Sequence, residues 1–122
     1  MNYNNQKIVK RIAEIEGLEV EECEGELLYW PTNYAETYDP INNAGQAMEL
    51  LKGLRKGHFT LFAGNTLYGE RAYAVYGMTN GETYSSTTND EGTETPELAI
   101  CLAYLASKGE DLTQFEEAKS ND

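Results

Sequence analysis

The chain has 122 residues, with 21 acidic side chains against nine basic ones and a formal net charge of −12. That length suits a single domain, 1–122, with one core, and no apolar run approaches the ~18 residues that a membrane-spanning helix needs. The acidic balance disfavours direct binding to nucleic acid or to an anionic membrane, since both require a basic footprint.

Ile8, Ile12 and Ile15 recur at helical spacing, broadened by Val9 and Ala13, and predict a first helix from about Asn5 to Glu16 that Gly17 ends. Leu18 and Val20 then alternate with Glu19 and Glu21 as a short strand, Gly25 interrupts it, and Leu27 to Trp30 form a second extended piece stopped by Pro31. Pro31 to Pro40 reads as a long ordered loop, too aromatic for a disordered linker. A second helix begins near Asn42 or Asn43, either of which can cap it, and carries Ala44, Ala47, Met48, Leu51 and Leu54 on one stripe. Lys52, Arg55 and Lys56 suit its C-terminal end, and Gly57 closes it.

Three strands follow: His58 to Ala63, with a turn signal at Gly64-Asn65; Glu70 to Tyr76; and, after the hairpin dipeptide Asn80-Gly81, Thr83 to Thr88. The last strand is β-branched and polar, which predicts a wet face or an edge. In the final helix Thr95 can cap, Pro96 fits the first position and Glu97 favours the positive end of the dipole. Leu98, Cys101, Leu102 and Leu105 make its buried stripe, and Lys108-Gly109 ends it. Residues 110–122 read as a loosely attached tail with one short amphipathic turn around Leu112 and Phe115. The fold class is α+β: an antiparallel sheet of about three to five strands packed by three helices.

Cys23 and Cys101 lie far apart, in no metal-binding spacing. With an N-terminus that has no apolar signal-type stretch, they predict a reducing, cytoplasmic setting. His58 is the single histidine, so no Ser-His-Asp or Cys-His arrangement has an obvious composition. Acidic pairs such as Glu21-Glu22 and Asp90-Glu91 lack the spacing of a calcium loop, and no glycine-rich phosphate loop is present. The expectation is therefore a protein without catalytic residues, metal or cofactor.

Two features point to binding. From Glu14 to Glu26 there are seven glutamates and no lysine or arginine, which is either a solvating surface or a docking face for a basic partner. Nine tyrosines and one tryptophan exceed what a core of this size needs. Either they fill the rim of the sheet, or Trp30, Tyr34, Tyr38, Tyr73 and Tyr84, with Arg71 meeting a phosphate or carboxylate, form a surface for a flat ligand.

The stretch Tyr38-Asp-Pro-Ile-Asn-Asn-Ala-Gly-Gln-Ala-Met-Glu-Leu-Leu51, the strand segment Arg71-Ala-Tyr-Ala and the final Thr95-Pro-Glu-Leu-Ala-Ile-Cys-Leu-Ala103 together resemble the phage ABA sandwich domain and NinX-like phage proteins. The segments cover about half the chain and contain capping and packing residues with no reactive group. Pro96 is separated from Leu98 by Glu97, and the acidic segment near Glu19 to Glu26 is not part of the family pattern. The resemblance implies helices packed on an antiparallel sheet in an α/β/α arrangement, and a phage or prophage origin, which would place the protein in the host cytoplasm. It implies no particular activity.

The leading expectation is a non-enzymatic phage accessory protein that antagonises a host defence factor by sequestering a nucleotide-like small signal. An acidic inhibitor that docks on a basic nucleic-acid-handling host protein is the alternative, and a small metal-dependent nucleotide hydrolase is a second. A homo-oligomer built through the sheet edge at Thr83 to Thr88 is a third arrangement.

Overall fold

A computed structural model of the chain describes residues 3–54, 58–65, 71–79, 82–86 and 93–117. Its contacts divide the chain into two compact units, one of residues 1–39 with 113–122 and the other of residues 40–112. The architecture is α+β, and the described residues form three α-helices and two antiparallel three-stranded sheets. The strands expected of a single sheet are thus shared between two, each sheet lying within one unit.

The first unit is built on helix α1, Asn5–Glu16. The side chain of Asn4 accepts a hydrogen bond from the Lys7 N–H at 3.1 Å and satisfies one of the donors a helix start leaves open. At the other end Gly17 adopts φ 70, and the Gly17 and Leu18 amides close back onto the carbonyls of Glu14 and Ala13. An L-residue resists that left-handed conformation, so glycine stops the helix here. The buried face is Ile8, Val9, Ile12 and Ala13, with Ile15 of the predicted stripe only half-buried.

Strands β1, Val20–Cys23, and β2, Glu26–Tyr29, form a hairpin in which Cys23 lies opposite Glu26. The two-residue turn places both Glu24 (φ 51) and Gly25 (φ 82) at positive φ, the combination that matches the twist of paired strands. Strand β3, Glu36–Thr37, lies antiparallel to β2 inside the segment the sequence leaves as loop. Two residues carry no readable periodicity, and pairing with Leu28 and Tyr29 defines them as a strand.

The tail expected beyond residue 110 is attached in its first part. Leu112–Phe115 form a 3₁₀ turn, the short amphipathic element read around those two residues. In the first unit, Tyr3 bridges to Glu116 and the Asn4 N–H donates to the Phe115 carbonyl at 2.7 Å. Lys7 donates from Nζ to the Gln114 carbonyl at 2.8 Å and lies over the Phe115 ring, which is 1 % exposed. Residues 118–122 lie outside the described residues.

The second unit begins with helix α2, Ala44–Leu54. Asn43 caps it, its Oδ1 accepting from the Gln46 N–H at 3.0 Å. The expected closure at Gly57, with Arg55 and Lys56, lies outside the described residues. Strands β4, His58–Asn65, β5, Arg71–Thr79, and β6, Glu82–Ser85, follow in spatial order with β5 central. Gly64 and Asn65, read as a turn, continue β4 and pair with Ala72 and Arg71. Thr79 pairs with Glu82, which is the register a two-residue hairpin at Asn80-Gly81 requires, although that dipeptide is itself outside the described residues.

Helix α3, Pro96–Ser107, packs against α2, β5 and β6. Thr95 caps it by accepting from the Leu98 N–H at 3.2 Å. Its seven residues from Ala99 to Leu105 are all buried, so the helix is enclosed well beyond the stripe expected from the sequence. Gly109 at φ 82 and the bond from the Glu110 N–H to the Leu105 carbonyl terminate it.

Candidate functional site

The hairpin sheet of the first unit concentrates the unusual chemistry. Residues opposite one another in an antiparallel pair project to the same side. One face carries Glu21, Cys23, Glu26, Leu28 and Thr37, of which all but Leu28 are exposed. The other carries Val20, Glu22, Leu27, Tyr29 and Glu36. Leu27 is buried on it, and Glu22 reaches Lys10 of α1 at 3.1 Å. Gln6 of α1 also donates from Nε2 to the Gly25 carbonyl at 3.1 Å, which ties the turn to the helix.

All seven glutamates from Glu14 to Glu26 are exposed, and Glu36 on β3, inside the segment expected to be loop, adds an eighth exposed carboxylate. The cations nearest in sequence are already engaged. Lys7 holds Gln114 and Phe115, Lys10 pairs with Glu22, and Arg11 pairs with Glu14 at 2.9 Å. Between Arg11 and Lys52 the chain contains no lysine or arginine. Among the described residues, no ion pair engages Glu16, Glu19, Glu21, Glu24, Glu26 or Glu36.

The loop from β2 to β3 supplies an aromatic end to this surface. Every residue from Trp30 to Ala35 is exposed, with Trp30 at 46 % and Tyr34 at 80 %. The Tyr34 N–H donates to the Thr32 hydroxyl at 3.3 Å, a local turn bond that shapes the loop. Tyr38, by contrast, is 7 % exposed. Its ring meets that of Tyr29 edge to face at 5.1 Å, and its N–H donates to the Leu27 carbonyl at 2.7 Å. Of the three candidate aromatics in this unit, two face solvent and one builds the interior.

The other three candidates belong to the second unit. Arg71 opens β5 opposite Asn65 and is placed by its backbone alone. Tyr73 is half-buried and exchanges both main-chain hydrogen bonds with Thr93 at 2.8 Å. Tyr84 is 8 % exposed and lies opposite Gly77, on the side of the sheet that carries the buried Val75. Lys52, expected near the C-terminal end of α2, pairs with Glu49 at 2.9 Å, and Lys56 lies outside the described residues.

Two polar residues complete this sheet: Ser86, inside the strand expected over Thr83 to Thr88, and Thr93, which no sequence signal singled out. Beyond Ser85 the ladder along β5 continues through Ser86, whose hydroxyl accepts from the Val75 N–H at 2.9 Å and whose own N–H donates to the Val75 carbonyl. Thr93 takes the next place along the same edge, opposite Tyr73, and its hydroxyl donates to the Thr95 carbonyl at 2.7 Å. Both residues are buried, and they carry the chain from the sheet edge into the cap of α3. In the sequence both lie among hydroxyl residues that flank a loop.

Cys23 is exposed on β1 and Cys101 is buried in α3. His58 begins β4, opposite Met78. Among the described residues no group of three or more histidine, cysteine, aspartate and glutamate side chains could hold a metal ion, and no helix is long and apolar enough to cross a membrane. The pair Asp90-Glu91 lies outside those residues.

No family model matches the chain, and no curated protein matches its sequence. Among solved structures it is similar to a phage protein from Bacillus cereus ATCC 14579, known from a 2.0 Å crystal structure. The match has a TM-score of 0.54 and 22 % sequence identity, and it covers 88 % of this chain and 92 % of the other. The chain thus shares the fold of a phage protein over most of the length of both.

Proposed function

We propose that this chain is a non-enzymatic phage accessory protein that antagonises a host factor, one of anti-phage defence, by docking its glutamate-rich hairpin sheet on a basic protein surface. The observation that carries the reading is a juxtaposition on one small sheet: exposed carboxylates that, among the described residues, no cation pairs with, and the exposed Trp30 and Tyr34 on the loop that follows β2. Charge complementarity steers such an encounter and selects the partner. Tryptophan and tyrosine are the side chains that most often supply the binding energy once water is excluded. Phage origin is supported by the fold shared with the Bacillus cereus phage protein.

Sequestration of a nucleotide-like signal draws less support. It needs open aromatic faces with cations beside them, whereas Tyr38 and Tyr84 are buried and Lys7, Lys10, Arg11 and Lys52 are engaged. A metal-dependent hydrolase needs carboxylates converging in one place, and those of the first unit are spread along exposed strands.

Trp30 is the single tryptophan, so its fluorescence reports on the docking surface directly. Titration with an arginine-rich peptide at low salt is expected to shift its emission to the blue. Affinity should fall about tenfold or more as salt shortens the Debye length from ~30 Å to ~8 Å. The triple variant Glu21→Lys, Glu24→Lys, Glu26→Lys should abolish binding with an unchanged far-ultraviolet spectrum. Trp30→Ala, followed by peptide anisotropy, should weaken it by more than charge screening alone explains. Binding that survives the triple charge reversal would overturn the proposal, as would thermal stabilisation by a cyclic nucleotide that Tyr34→Ala removes.

A further inference from the structure

We draw no further inference here: the strongest candidate, the face of the β4–β5–β6 sheet on which Tyr76 of the central strand is exposed, is an aromatic surface with nothing in the structure to show what covers it.

Discussion

The two units solve the problem of a small core in opposite ways. The second wraps its apolar content around one helix, with α3 buried along seven successive residues and α2, β5 and β6 packed against it. The first buries one face of α1 and little of its sheet, where Leu27 is the buried strand residue among a row of exposed glutamates. Beyond the buried Tyr38 and Phe115, it is tied together by polar connections: the Asn4 cap, the Gln6 bond to the turn, and the Lys7 bond to Gln114. The second unit is held by packing, whereas the first carries charge along its strands, the arrangement that the proposed docking would use.

The comparison is sharpest at one fully buried side chain in each unit. Phe115→Ala should cost the first unit about 3–5 kcal/mol, because it removes a fully enclosed ring and the surface under Lys7. Trp30 fluorescence would follow this loss during urea unfolding. Leu102→Ala, at the centre of α3, should cost about 2–5 kcal/mol and lower the helical transition followed by circular dichroism. If Leu102→Ala moved the Trp30 transition as far as it moved the helical one, the units would unfold as one cooperative body and the contrast drawn between them would fail.

A smaller effect tests the polar ladder of the second unit. Ser86→Ala leaves the buried Val75 N–H without its acceptor and should cost about 1–3 kcal/mol, readable as a lower midpoint in urea. Ser86→Thr keeps the hydroxyl and should retain more of the stability than Ala. The smallest effect belongs to the first unit. Lys10→Met breaks an exposed ion pair with Glu22 and should change stability by no more than about 0.5 kcal/mol in thermal melts. A larger loss would show that the hairpin depends on that pair, and that its charge is structural before it is functional.

Much of the fold was legible where capping chemistry coincided with periodicity. Helix α1 runs from Asn5 to Glu16 as its isoleucine spacing predicts, because Asn4 and Gly17 punctuate the same stripe. Helix α3 starts at Pro96 behind Thr95 for the same reason. The failures have a common cause in strand pairing, which periodicity does not carry. Strand β3, the continuation of β4 through Gly64-Asn65, and the place of Thr93 beside Tyr73 are each set by the strand they pair with, six to twenty residues away. The division of six strands into two sheets is of that kind too.

The candidate site was legible only in composition. The run of glutamates stood out because charge is a property of the sequence itself, and all seven prove exposed. Which tyrosines face solvent could not be read, since a tyrosine fits either environment and its neighbours here are mixed. Tyr34 and Tyr38 are four residues apart in one polar segment, yet one is open to solvent and the other packs on Tyr29.

The hairpin turn records a preference in the chain's own terms. Glu24 occupies a left-handed position where asparagine or glycine is at ease, and a glutamate there costs about 1 kcal/mol of local conformational energy. Glu24→Asn would relieve that cost and stiffen the hairpin while deleting a carboxylate from its tip. A single substitution thus trades charge at the tip for rigidity of the turn, and the glutamate found there keeps the charge.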